Sequence, residues 1–411
     1  MISVEDHRAD ILAAVSPLAP HRRPLAECHG LVLAEDVAAR LAVPPFDNSA
    51  MDGYAVRHSD LHGAGREHPV RLPVAADVPA GIAADSALPA GGAMRIMTGA
   101  PVPPGADTVV PVEDTDQPVG AAAAPTEVAV YDQPPLGRHI RRAGEDINIG
   151  QPVLARGEML QAIHISAAAS VGWAELAVHP RPRIGVLATG DEIRPPGTPL
   201  APGQIPDSNT ALLTGLLIES GAEPVLLPPV GDDPEKFDDV LATRAADLDG
   251  LLTSGGVSVG AFDVVKTVLG ARPGMLFRNV AMQPGKPQGF GVLDDRLPVF
   301  CLPGNPVSVW VSFEVFVRPA LRVMAGQAPD PQPVTATARE GWRCPQGRRQ
   351  YIPVIIDGEG ADLEVRPAAA GGSGSHLVAS LARAQGLAIV PADVAAVRAG
   401  DRVALIDMRR R

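Results

Sequence analysis

The spacing of apolar and polar positions changes period several times along the chain. At the N-terminus, ISVEDHRADILAAV has helical spacing, and Ser3 stands where an N-cap belongs. A helix is expected through Val15, broken by Pro17, Pro20 and Pro24, and the run LVLAEDVAAR makes residues 1–45 read as mostly helical. From 46 to 136 the pattern shortens to β-like runs (VRLPVAADV, AMRIMTGA, DTVVPVED, EVAVYD) separated by Pro, Gly and Asp. This is a β-rich insertion, and its stretch 116–125 is a loop without chemical content. At Gly137 the chain turns basic (GRHIRRAGEDINIG) and enters a helical patch, LQAIHISAAASVGW. The expected grouping is a helical domain of 1–45 plus 137–178, split by the insertion.

After HPRPR the pattern alternates strand and helix. RIGVLATGDEI is a buried strand running into a glycine loop. DSNTALLTGLLIESGA is a helix with Asp207 or Ser208 as cap and Gly221 as stop. AEPVLLPPV is a strand, and DDPEKFDDVLATRAAD is a helix with Pro234 in its first turn. DGLLTSGGVSVG is a strand into a Gly/Ser loop, followed by the helix DVVKTVLG. LFRNVAMQPGKPQGFGVL reads as two strands around a Pro-Gly-Lys-Pro turn. LPVFCLPGNPVSVWVSFEVFVRPAL is a strand, a tight turn and a helix with Asn305 as cap. Alternation of this kind predicts a doubly wound α/β domain over 179–326, its mostly parallel sheet covered on both faces. From 327 to 411 the helix signal fades and short strands (PVTATARE, YIPVIID, ADLEVRP, GLAIVP, RVALIDM) predict a small β-barrel.

Composition narrows the classes. A chain of 411 residues implies several cores, and aromatics at 3% leave the packing to Ala, Val, Leu and Ile. A net charge of −12 argues against a general nucleic-acid binder, which needs a basic face. Cys28, Cys301 and Cys344 are far apart and form no CxxC or Cys/His spacing, so neither a zinc site nor a disulfide framework is expected, and a reducing cytoplasm fits. No apolar run reaches the roughly 18 residues of a membrane span, and the acidic N-terminus lacks the basic and apolar regions of a signal peptide. Of 35 basic residues only Lys236, Lys266 and Lys286 are lysine. Where arginine replaces lysine so widely, the lysines that remain mark places needing a compact, rotatable charge. Lys266 and Lys286 lie in or beside glycine-rich segments, whereas Lys236 in DDPEKFDD reads as helix surface.

In open α/β sheets ligands bind at the carboxyl ends of the strands. Four loops take that position: Thr189-Gly190-Asp191-Glu192, Ser254-Gly255-Gly256-Val257-Ser258, Pro284-Gly285-Lys286-Pro287 and Pro303-Gly304-Asn305-Pro306. Glycines admit close backbone approach and free N–H groups favour an anion, so the domain is expected to bind a phosphate-bearing ligand. One such loop alone would be read as a plain turn, and none matches GxxxxGK[ST] or GxGxxG. Carboxylates gather near these loops (Glu192, Asp232, Asp233, Asp263), with Asp52 and Asp146 in the first region. Singly, exposed acids are solvated surface; beside phosphate loops they can share Mg²⁺ with phosphate oxygens. Lys286, Lys266, Arg348 and Arg349 could offset the ligand's charge. The ten histidines show neither a nucleophile partner nor ligand spacing.

VPPFDNSAMDGYAV (43–56), IMTGAPVPPGADTVVPVED (96–114), IRRAGEDI (140–147), ATGDEI (188–193), PDSN (206–209), TSGGVSVGAFDVVK (253–266), PGKPQGFG (284–291) and CLPGNPVS (301–308) together resemble the molybdopterin molybdenumtransferases. That is the MoeA family, to which the catalytic domain of gephyrin is similar. The resemblance continues more weakly through GRRQY (347–351) and the run 371–391. It implies a four-domain chain acting as a homodimer, with a central domain similar to the small molybdopterin-adenylylating proteins. The implied substrates are adenylylated molybdopterin and molybdate, with Mg²⁺ as cofactor and AMP released. Molybdopterin adenylyltransferase and apo-molybdoenzymes are the implied partners.

Residue by residue, the resemblance makes Asp263, Glu192, Asp232, Asp146 and Asp52 catalytic acids, with Glu192 and Asp263 as Mg²⁺ ligands. The choice between Asp232 and Asp233 stays open by one position. Asp52 and Thr98 would reach the partner subunit's site. Lys286, Arg348, Arg349 and Ser373 match anion contacts, and Thr189, Gly190, Ser254, Gly255, Gly256, Ser258, Gly285, Pro303, Gly304 and Asn305 would line the ligand. One departure stands out: the family commonly has Lys-Pro-Gly-Lys-Pro, and here the first lysine is Gln283. Two other readings remain: a molybdopterin-binding scaffold, and a molybdopterin adenylyltransferase.

Overall fold

The computed structural model describes residues 1–82, 84–120, 123–257, 264–330, 334–360, 362–369 and 381–410. The N-terminal helix runs Val4–Ala14, capped by Ser3, whose side chain accepts from the Asp6 N–H at 3.0 Å. Its buried positions Val4, His7 and Ile11 recur at helical spacing and form one stripe. That stripe packs into the α/β core with Trp310, Phe316 and Met324.

Residues 15–45 depart from the helical expectation. They form short strands, His21–Pro24, Val32–Leu33 and Val37–Ala38. The first two flank Glu175–His179 in an antiparallel sheet. The LVLAEDVAAR run has moderate helix propensity, but its backbone groups pair with distant segments, and that tertiary pairing overrides a weak local preference. The helical patch expected in LQAIHISAAASVGW (160–173) forms a helix over Ala162–Ser170.

The insertion is β-rich as expected. Its sheet has five strands in the order Thr108–Pro111, Gly53–Val56, Ala93–Ile96, Val70–Val78, Glu127–Val130. The α/β sheet has six strands in the order Glu223–Leu226, Arg183–Ala188, Gly250–Ser254, Leu297–Leu302, Pro287–Leu293, Leu276–Asn279. The first four are parallel, and the last two fold back antiparallel. Helices cover both faces. Leu213, Leu216, Leu217 and Trp310 pack on one side, and Phe237, Leu241, Val265 and Leu269 on the other. In the C-terminal region Arg349–Asp357 pairs with both Glu364–Pro367 and Gly386–Val390, while Val334–Ala338 and Arg402–Asp407 complete the circuit. This closes a five-stranded barrel without free edges.

One short segment joins three of these units. Met282–Gln283 pairs in parallel with Arg349–Gln350 of the barrel. On its other flank, Ile2 N–H donates to the Asn279 carbonyl at 2.9 Å and Ala281 N–H donates to the Ile2 carbonyl at 2.8 Å. Glu5 of the N-terminal helix then meets Arg349 at 2.5 Å.

The helix over the α/β face is interrupted by a π-helical turn, Phe313–Val317. Within it the buried Glu314 accepts two hydrogen bonds from Arg318, at 2.8 and 2.9 Å. A buried pair of this kind is costly to split, because removal of one partner strands a charge. Arg318→Met alone should therefore destabilise the domain by about 3–5 kcal/mol. The double variant Glu314→Leu/Arg318→Met should regain most of that loss in calorimetry.

His7 lies edge-on to Phe316, with ring centroids 4.8 Å apart, and its buried Nδ1 has no hydrogen-bond partner among the described residues. Burial, aided by the Arg278 charge and opposed by Asp10, lowers its pKa to about 4. The folded state then binds fewer protons than the unfolded state, so this contribution is present above the unfolded pKa of about 6.5 and is lost as pH falls toward 4. His7→Phe should remove roughly 2 kcal/mol of the stability loss between pH 7.5 and 5. Unfolding curves of equal acid sensitivity in the two proteins would refute this.

Candidate functional site

The loops singled out from the sequence converge on one edge of the α/β sheet. Three follow parallel strands: Thr189–Glu192 after Arg183–Ala188, Gly255–Gly256 after Gly250–Ser254, and Pro303–Asn305 after Leu297–Leu302. The fourth, Pro284–Lys286, precedes Pro287–Leu293, which runs antiparallel, so its start lies at that same edge. The loop after Glu223–Leu226 joins them, because Thr189 bridges Val230 and Gly190 N–H donates to the Val230 carbonyl at 3.3 Å.

Backbone geometry explains the glycines where it matters most. Gly190 has φ +127°, and the Glu192 carboxylate folds back over its Cα where a Cβ would stand. Gly255 has φ +95° and donates its N–H to the Leu302 carbonyl at 3.1 Å, and a Cβ added at Gly304 would stand 3.6 Å from the Gly255 Cα. Asn209, from the PDSN motif, supports this loop by donating its side-chain amide to the Gly304 carbonyl at 2.7 Å. Asn305 occupies the N-cap position of Pro306–Ser312, although its side chain makes no capping hydrogen bond.

Among the described residues, buried polar atoms at this edge find no hydrogen-bond partner: Thr253 Oγ1, Ser254 Oγ and Asn209 Oδ1. Gln283 Oε1 is another, beside the Pro284–Lys286 loop. Such groups lose their hydration on folding, and a polar ligand can supply the missing partner.

The acids divide by role. Asp233 caps the helix Pro234–Arg244, accepting from the Glu235 and Lys236 N–H groups at 3.1 and 3.3 Å. Lys236 also pairs with it, at 3.1 Å, which keeps its carboxyl below the usual carboxylate range. Lys236 is thus the helix-surface residue expected. Asp232 is exposed one position earlier, and its N–H donates to Asp191 Oδ1 at 3.4 Å. Asp191 therefore ties the loop of Glu192 to the loop of Asp232. It went unselected in the sequence, although it adjoins Glu192 in TGDE.

Asp52 and Thr98 meet in the insertion domain. Asp52 Oδ1 accepts from both the Thr98 N–H and the Thr98 hydroxyl at 2.7 Å, and these bonds hold its carboxyl below the usual range. Among the described residues no strand pairing joins their sheet to the α/β sheet. Asp146 is exposed in a turn anchored by Asp47, which takes the Ala143 N–H at 2.8 Å and the Arg142 guanidinium at 2.6 Å. Asp47 is a second acid that the sequence reading passed over. Lys286 is exposed, Arg348 is half-buried, and Arg349 is bound by Glu5 at the barrel junction. Lys266 lies exposed on helix Val264–Gly270. Ser258, Asp263 and Ser373 lie outside the described residues.

Among the described residues no group of three or more His, Cys, Asp or Glu side chains could hold a metal ion alone. The donors at the edge are single carboxylates, Glu192 folded over Gly190 and Asp191 at the Asp232 N–H. That chemistry suits Mg²⁺, which takes one or two carboxylates and completes its shell with water and substrate phosphates.

Comparison with known proteins covers nearly the whole chain. Residues 2–172 match the family model for the MoeA N-terminal region (domain I and II), 185–323 match "Probable molybdopterin binding domain", and 335–408 match the MoeA C-terminal region (domain IV). Molybdopterin molybdenumtransferase 2 of Mycobacterium tuberculosis is 44% identical, over 99% of this chain and 100% of its own. The molybdopterin molybdenumtransferase of a Nostoc species is 35% identical over 92% of this chain and 87% of its own. The crystal structure of a molybdopterin biosynthesis MoeA protein from Pyrococcus horikoshii superposes with a TM-score of 0.82 at 30% identity, covering 99% of each chain. The order of motifs, the loops at the sheet edge and these full-length likenesses agree: the chain belongs to the MoeA family of molybdopterin molybdenumtransferases.

Proposed function

We propose that this chain transfers molybdenum from molybdate to the dithiolene of adenylylated molybdopterin, with release of AMP. The observation that carries the proposal is the convergence of the glycine loops and the Asp191, Glu192 and Asp232 carboxylates on one edge of the domain that matches the molybdopterin-binding model. Glycine N–H groups there can approach phosphate oxygens closely. Glu192, with Asp263 assigned by motif, would hold Mg²⁺, which when bound would neutralise phosphate charge and polarise the phosphoanhydride. Lys286 would place a compact cation against the oxyanion, with Arg348 and Arg349 extending the positive field from the barrel. Water cleaves the phosphoanhydride, giving AMP and the pterin phosphate, while two Mo–S bonds form to the dithiolene and one molybdate oxygen leaves with the two thiol protons as water, molybdenum keeping its oxidation state. Asp263, Ser258 and Ser373 complete the assignment by motif alone.

Asp146, Asp52 and Thr98 enter from the N-terminal half. The Asp52–Thr98 pair is prearranged, since two hydrogen bonds fix the carboxylate. We place that pair over the α/β edge of a second copy of the chain, in a homodimer with shared sites. Cys28, Cys301 and Cys344 form no disulfide among the described residues, which suits action in a reducing cytoplasm.

Because Asp233 is occupied in capping, Asp232 is assigned as the functional acid of the pair. Asp232→Asn should slow AMP release from adenylylated molybdopterin at least about tenfold, with unchanged melting. Asp233→Asn should instead lower thermal stability slightly and keep turnover within about twofold, since Asn caps almost as well. The reverse pattern would overturn the assignment. The shared site makes a separate prediction. Asp52→Ala and Asp263→Ala homodimers should both be inactive, whereas heterodimers of the two should recover turnover at one of their two sites. Heterodimers as inactive as the parents would refute a shared site.

A further inference from the structure

Gln288 is buried at the start of strand Pro287–Leu293, with 2% of its surface exposed. Its side-chain Nε2 donates to the Gly285 carbonyl at 2.7 Å and to Ser312 Oγ at 2.6 Å, so both amide hydrogens are used. Ser312 is fully buried and ends the helix Pro306–Ser312, which begins directly after the Pro303–Asn305 loop. One amide thus ties the Pro284–Lys286 loop to the far end of the helix that follows the Pro303–Asn305 loop. Gly285, at φ +94°, is seated against this bridge: a Cβ there would stand 3.0 Å from Ser312 Oγ and 3.3 Å from Gln288 Nε2. One residue on, the Lys286 carbonyl accepts from Val280 N–H at 2.8 Å. The backbone is therefore held on both sides of the Gly285–Lys286 peptide, while the Lys286 side chain is exposed.

We infer that Gln288 is a positioning residue that fixes the backbone origin of Lys286, by tying Gly285 to Ser312 of the helix Pro306–Ser312. Its kinetic consequence rests on the proposed molybdenum transfer; its structural consequence does not. A buried amide with two fixed partners resists displacement, because any movement leaves a carbonyl and a hydroxyl unsatisfied. Small misplacement of a charged group at a reacting centre costs orders of magnitude in rate.

The test uses the full-length protein. Gln288→Leu removes both donors, and Ser312→Ala in the same chain removes one of the two stranded partners. Both variants should release AMP at least about tenfold more slowly than wild type at saturating adenylylated molybdopterin. The double variant should recover melting temperature without recovering rate. Gln288→Glu adds a signature that a packing role lacks. Its neutral carboxyl can donate one hydrogen bond to Gly285, so its activity relative to wild type should fall as rising pH ionises it. If rate follows melting temperature and the double variant regains both, Gln288 is structural only and the inference fails. Should wild type release no AMP, the functional reading falls and deuterium exchange decides the inference. Exchange at 284–288 should then quicken in Gln288→Leu while the rest of the sheet is unchanged, and unaltered exchange there overturns it.

Discussion

The backbone of residues 279–283 is shared between an N-terminus and a barrel, and much else depends on that sharing. Ile2 takes hydrogen bonds on one flank and Arg349–Gln350 on the other, so a segment leaving an edge strand becomes the middle of a small three-stranded contact. An unpaired extension of that length would expose donors and acceptors and move freely. Paired on both sides, it delivers Pro284, Gly285 and Lys286 to the sheet edge from a fixed origin. It also explains why the first helix, though separated by the whole insertion from the α/β domain, buries Val4, His7 and Ile11 there. The helix anchors Ile2, and Glu5 on its first turn anchors Arg349.

The edge itself follows from strand direction. Four parallel strands end there, so each must be followed by a loop on the same side, and the antiparallel strand Pro287–Leu293 begins there for the complementary reason. Loops crowded in this way need small residues and supporting amides. Asn209 holds Gly304, Gln288 holds Gly285, and Asp191 ties the Glu192 loop to Asp232. Buried Thr253, Ser254 and Asn209 oxygens without partners among the described residues face a cost that a bound polar ligand removes.

How much of this could be read from the chain depends on whether a contact is local. The strand-helix alternation of 183–321 was legible because each element carries its own period and stop signals, and Asp207 caps its helix as the local pattern implies. The Asp52–Thr98 pair was named from motifs 46 positions apart, but nothing local in either motif states that one carboxylate oxygen takes both Thr98 donors. Residues 15–45 misled because their strands are two to four residues long and their partners lie beyond residue 150. Asp191 and Gln288 were hidden by their company: each sits inside a motif whose neighbours, Glu192 and Lys286, have the more conspicuous chemistry. Asp233 could have been separated from Asp232 by sequence alone, since Asp directly before Pro-Glu at a helix start is a capping pattern.

The use of arginine and lysine closes the same logic. Where this chain needs a charged fork, it has arginine: Arg318 grips both oxygens of buried Glu314, and Arg95 grips both oxygens of Asp77. A guanidinium held in that way is a structural fastener, and its geometry is spent on its partner. Arg349 at the barrel junction is partly in that position, since Glu5 already engages it. Lys286 differs in both respects. Its backbone is fixed by Val280 and, through Gly285, by Gln288, while its side chain extends from the surface on a flexible stem. An immobile origin with a rotatable point charge suits a ligand that changes shape and charge during reaction, as it would in the proposed transfer. Gln283, three residues before it on the same clamped segment, then carries a neutral amide whose buried oxygen finds no partner among the described residues, so the positive charge of this loop is concentrated on Lys286.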